Sequence, residues 1–163
     1  MPSLLRKQNV IWKLPVPVYV AALFVISSSA WSTSFTIVDG QFVTSQQTLY
    51  SNETGTINSG GDLTTSVTAI YANNANNITV LNSGAITTSG NNSFGIYSNL
   101  NSGTSTILNS GTITTSGYAG YGIYSLRNSG TSTITNSGTI TTSGSGGYGI
   151  YEWLNSGTNT LTN

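Results

Sequence analysis

The groups in this 163-residue chain with chemistry to offer are four carboxylates, Asp39, Glu53, Asp62 and Glu152, and nine tyrosines. Histidine and cysteine are absent, which removes His-based triads, thiol nucleophiles and the usual zinc ligand sets. Paired carboxylates serve glycoside hydrolysis, but these four are scattered and none recurs at a fixed interval. Glu152 stands where neighbouring repeats carry Ser125 and Ser98, so its column holds no acidic partner. Asp62, in Gly60-Gly61-Asp62, completes only half of the calcium-repeat word G-G-x-G-x-D. The expectation is a chain without enzymatic activity, cofactor or metal.

The tyrosines do recur. Tyr71, Tyr97, Tyr124 and Tyr151 each follow an isoleucine (Ile70, Ile96, Ile123, Ile150). On a strand, adjacent residues point to opposite faces, so buried isoleucines put these four tyrosines outside. They form a candidate binding ledge for a protein or glycan, since aromatic residues are enriched at interfaces. The competing reading is ordinary packing across a corner. Phe94, Tyr121 and Tyr148 lie two residues before the same isoleucines, share their parity, and are expected in the core. Threonines also form ranks, Thr112 and Thr114 beside Thr139 and Thr141, interrupted at Ala85. Flat Thr-x-Thr arrays resemble those of ice-binding β-solenoids, although threonine is also simply favoured on exposed strands.

The elements that position these residues follow from a repeat. Asn-Ser-Gly begins at Asn82, Asn109 and Asn136, and again at Asn101, Asn128 and Asn155, each set spaced by 27 residues. Residues 109–135 and 136–162 agree at 20 of 27 positions, and 82–108 and 109–135 at 19. A shorter unit spans 58–81. A period of this length signals a solenoid or propeller, and 27 residues are too few for a propeller blade.

Each unit holds three segments with strand alternation, such as Thr112–Thr115, Tyr121–Ser125 and Ser132–Thr135, separated by Gly, Ser and Asn turn clusters. No helical periodicity follows residue 30. The expected fold is all-β: a right-handed parallel β-helix of about four to five coils, with about 4.8 Å between rungs. Three aliphatic columns would fill it: Leu63, Ile86, Ile113, Ile140; Ile70, Ile96, Ile123, Ile150; and Val80, Ile107, Ile134, Leu161. No coil can bury these alone, so each must cover the next. In the Asn-Ser-Gly turns, glycine is expected to supply a positive φ, and stacked asparagines to bond to one another.

The repeats are preceded by a different pattern. Arg6, Lys7 and Lys13 lead into the apolar run Val16–Ile26 and then Ser27-Ser28-Ser29-Ala30. This is the layout of a secretory signal peptide, and the run is too short for a membrane span. Cleavage is expected between Ala30 and Trp31, with Ser32 as the alternative. The organisation is thus 1–30 signal peptide, 31–57 N-terminal capping segment and 58–163 repeats (58–81, 82–108, 109–135, 136–162). Beyond Ala30 one cation, Arg127, faces four acids, a net charge of −3, which argues against nucleic-acid binding.

The signal, the segment Phe35-Thr36-Ile37-Val38-Asp39-Gly40 to Gly60-Gly61-Asp62-Leu63, and the NSGTITTSG…GIY repeats together resemble the N-terminal part of an autotransporter passenger domain, of the type V secretion family of Gram-negative bacteria. The resemblance implies export to the periplasm, then the cell surface or exterior, and an adhesive or virulence role toward a host or neighbouring-cell protein or glycan. It also implies an outer-membrane β-barrel translocator, of which these residues contain nothing, and Asn163 opens a fresh repeat; the expectation is a fragment of a longer chain. Two other readings are a self-assembling, amyloid-like surface component and the stalk of a larger passenger whose active part lies downstream.

Overall fold

The computed structural model describes residues 34–163. The signal peptide and its Ala30–Trp31 cleavage site lie outside the described residues. The chain runs through β1 (Phe35–Ile37), β2 (Phe42–Val43), β3 (Gln47–Leu49), β4 (Thr54–Ile57), β5 (Asp62–Thr65) and β6 (Ile70–Asn73). It continues through β7 (Ile78–Asn82), β8 (Ala85–Thr88), β9 (Ile96–Asn99), β10 (Ser105–Asn109) and β11 (Thr112–Thr115). It ends with β12 (Ile123–Leu126), β13 (Ser132–Asn136), β14 (Thr139–Thr142), β15 (Ile150–Trp153) and β16 (Asn159–Thr162). Among the described residues there is no helix.

Every third strand pairs in parallel. The result is three sheets: β1-β4-β7-β10-β13-β16, β2-β5-β8-β11-β14 and β3-β6-β9-β12-β15. Ile107 pairs with Ile134, Ile113 with Ile140 and Ile123 with Ile150, so the expected columns exist and residues 27 apart are vertical neighbours. This is a parallel β-solenoid. Residues 34–57 supply the first rung of all three sheets and begin the second rung of the first.

The columns form the core. Leu63, Ile70, Val80, Ile96, Ile107, Ile113, Ile123 and Ile134 are fully buried, and each such side chain removed from water stabilises the fold by roughly 1.5–3 kcal/mol. In the last rung Ile140 and Ile150 are only partly buried and Leu161 is exposed. A rung is closed only by the one above it.

Polar ladders run inside the same stack. Asn82 Nδ2 donates to Asn109 Oδ1, Asn109 Nδ2 to Asn136 Oδ1, and Asn136 Nδ2 to Asn163 Oδ1, each at 2.7 Å. In the second register the side-chain oxygen instead accepts a backbone N–H from the rung below. Asn101 Oδ1 takes that of Ala75 (3.0 Å), while Asn128 Oδ1 and Asn155 Oδ1 take those of Asn101 and Asn128 (2.9 Å each). Among the described residues two buried oxygens, Asn82 Oδ1 and Asn99 Oδ1, lack a donor. Each sits where its ladder meets an apolar residue, Ile57 beneath Asn82 and Leu126 above Asn99.

The turns correct one expectation. Of the Asn-Ser-Gly glycines only Gly60 has a positive φ, 79°. The others are needed for closeness rather than handedness: a Cβ on Gly111 or Gly138 would overlap the carbonyl oxygen of Gly84 or Gly111 one rung below. Left-handed backbone falls elsewhere, at single loop positions such as Asn92 and Ala119 and along the corner column Asn74, Leu100, Arg127 and Leu154 (φ 55°, 54°, 50°, 54°). For Leu and Arg this conformation costs about 1–2 kcal/mol each. It is held by the rung above, since Leu100 N–H donates to Leu126 O and Arg127 N–H to Trp153 O.

Gly111→Ala is therefore expected to destabilise the chain by about 2 kcal/mol, as overpacking against backbone does. Ser129→Ala, on an exposed turn, is expected to leave the thermal midpoint unchanged. Thermal unfolding followed by circular dichroism of the two variants checks the difference.

Candidate binding face on the third sheet

Tyr71, Tyr97, Tyr124 and Tyr151 occupy the second position of β6, β9, β12 and β15 and are in Cα register. The residues on either side of them turn inward. Ile70, Ile96 and Ile123 are buried, as are Ala72, Ser98 and Ser125. The four phenols therefore stand on the outer face, and their ring centroids are 5.3, 5.5 and 5.5 Å apart in succession.

Phe94, Tyr121 and Tyr148 correct the expectation that they share the isoleucine face. Strand alternation does not reach them, because β9, β12 and β15 begin only at Ile96, Ile123 and Ile150. A bend at Gly95, Gly122 or Gly149 intervenes. At Gly95 and Gly122 the absent Cβ makes room for Ile113 and Ile140 of the next rung. The bend swings each preceding ring outward, and Tyr148 is 54% exposed. This second column zips to the first. Phe94 lies 5.3 Å from both Tyr97 and Tyr121, Tyr121 meets Tyr124 edge-on at 5.1 Å, and Tyr148 stacks on Tyr151 at 5.2 Å. Seven rings form one continuous strip.

A signal for the second column was present in turn length. Four residues (66–69) join β5 to β6, whereas seven (89–95) join β8 to β9. The three extra residues make a turn that can carry a ring outside, which is also why Tyr71 has no companion in its own rung.

Burial within the strip raises the pKa of Tyr97, Tyr121 and Tyr124, and neighbouring phenols raise it further. Arg127 opposes this weakly at Tyr97 and Tyr124. It is the one cation among the described residues, set at the rim of the strip by its left-handed corner.

The carboxylates do not converge. Asp62 accepts the Thr64 hydroxyl of its own strand at 2.7 Å, and Glu53 accepts the Tyr50 N–H at 2.7 Å. Glu152 shares its column with Ser125, and burial raises its pKa against the lowering effect of Asn155. Among the described residues no three His, Cys, Asp or Glu side chains gather as a metal site would need. The threonine ranks lie on the second sheet, with Thr64, Thr87, Thr114 and Thr141 in one column and Asp62, Ala85, Thr112 and Thr139 in the next.

A phenol whose folded pKa is raised contributes stability that is fully present below its unfolded value and lost as pH rises through the folded one. The contribution of these phenols to the thermal midpoint is thus expected to be constant below pH 10, the ordinary tyrosine value, and to be lost above it. Tyr124→Phe should lessen that loss, as measured by unfolding and by phenolate absorbance across the alkaline range.

A protein-family model, the BigA third pectate lyase-like domain, matches residues 25–163. No curated protein and no solved structure is significantly similar to the chain. The parallel rungs, the three sheets and the extent of the match together establish that this chain belongs to the family of the BigA third pectate lyase-like domain.

Proposed function

We propose that the chain is a non-catalytic, exported β-solenoid that works as a structural and adhesive segment at a bacterial cell surface. The observation that carries this reading is the seven-ring aromatic strip on a stack of rungs, with no cluster of three His, Cys, Asp or Glu side chains among the described residues. Its family is consistent with a structural surface domain. Rings held in register offer large contact area at low entropic cost, the quality that makes tyrosine an interface anchor. The partner is a surface protein or glycan of a host or neighbouring cell. The export signal and a downstream outer-membrane barrel complete this reading.

A second reading is favoured by the asparagine ladders and sparsely charged outer columns: self-assembly of copies into fibres, since such ladders also stabilise cross-β stacks. Binding and assembly separate in one experiment. Purified chain is presented to immobilised cell-surface glycans and to intact cells, beside the variant Tyr124→Ser/Tyr151→Ser, with circular dichroism confirming that both fold. Adhesion through the strip predicts a loss of at least about tenfold in affinity, or 1.4 kcal/mol. Undiminished binding by the folded variant overturns it, and concentration-dependent fibre growth without surface binding favours assembly.

A further inference from the structure

The same rings hold an unused chemistry. The sequence contains no cysteine and one methionine, Met1, and sulfur side chains are the common sites of protein oxidation. Among residues 34–163 oxidising equivalents therefore fall on the phenols and on the single indole of Trp153. The phenols are not isolated. Between the third and fourth aromatic rungs, Tyr121 lies 5.5 Å from Tyr148 and 5.2 Å from Tyr151, and Tyr124 lies 5.5 Å from Tyr151. These rings are tilted to one another by 53°, 54° and 40°, neither flat-stacked nor perpendicular. Tyr148 is exposed enough for an oxidant to reach it.

We propose that this tyrosine array is a site of oxidative cross-linking, in which phenols on successive rungs couple to dityrosine and staple one coil to the next. The oxidant is a peroxide acting through a haem peroxidase. Each of two tyrosines gives up one electron and its hydroxyl proton, leaving a phenoxyl radical. The two radicals join through a new carbon–carbon bond between ortho positions. The hydrogen on each of those carbons then moves to oxygen and restores both phenols. Two tyrosines and one hydrogen peroxide become one dityrosine and two waters. A bond between Tyr124 and Tyr151 closes a loop of one repeat, so it restrains the unfolded chain as a disulfide does.

The position of Arg127 supplies the test. It is the only Lys or Arg after Lys13, so trypsin acting on the unfolded chain parts Tyr121 and Tyr124 from Tyr148 and Tyr151, which are the only tyrosines beyond it. The full chain is oxidised at low concentration with peroxide and a haem peroxidase, then denatured, digested and analysed by gel, dityrosine fluorescence and mass spectrometry. The expected product is a monomer lighter by two hydrogens per link, whose halves stay joined after cleavage. Fragment spectra should place the link between Tyr121 or Tyr124 and Tyr148 or Tyr151. The variant Tyr148→Phe/Tyr151→Phe keeps the rings and is expected to release residues 128–163 from the rest. Oxidation in denaturant should abolish the join in the wild type. Halves that separate after oxidation of the folded chain, oxygen added to Trp153 in place of a link, or links found only between chains each overturn the proposal.

Discussion

The bond from each asparagine to its copy 27 residues later is the constraint from which the rest follows. Asn82, Asn109 and Asn136 place an amide against the next amide at 2.7 Å, and an amide buried without a partner costs roughly 1–3 kcal/mol. A slip of one residue would break these bonds and turn the isoleucine columns toward water at the same stroke. Register is therefore held twice, by polar satisfaction and by apolar burial. Length can vary only in turns, as it does between residues 66–69 and 89–95.

Stacking also dictates what the surface can be. Any outward residue that recurs becomes a column, with copies about 4.8 Å apart. A recurring charge would face its like along the whole stack, which destabilises paired strands. The scarcity of charge, 5% of residues, follows from this geometry. What can be repeated outward is threonine and the aromatic ring, while the recurring asparagines are buried within the stack. The aromatic strip is a consequence of copying one tyrosine in every rung and a second ring in three of them.

Much of this was legible in the sequence. The isoleucine columns, the parallel rungs and the asparagine ladders follow from period and alternation alone, because stacked repeats make spacing equivalent to contact. The exceptions lie where local backbone departs from the strand. Phe94, Tyr121 and Tyr148 turned outward because a glycine bend separates them from the strands that follow. The Asn-Ser-Gly glycines serve close approach between rungs, a contact no tripeptide reveals. Leu100, Arg127 and Leu154 hold a left-handed corner that their residue types would not suggest, and only the column they share with Asn74 betrays it. The candidate ledge was half visible: its first column by parity, its second only through the length of a turn.

The most direct test of the account is a pair of deletions compared by thermal unfolding. Removing residues 109–135 takes out one whole period and brings the equivalent residues 82–108 and 136–162 into contact. The shortened chain should still melt cooperatively, with its β-sheet signal per residue preserved, as nearest-neighbour stacking requires. Removing residues 109–121 places strands of one sheet above turns of another and should abolish the transition. If the two deletions unfold alike, the rungs do not lie on one another in register, and the account fails.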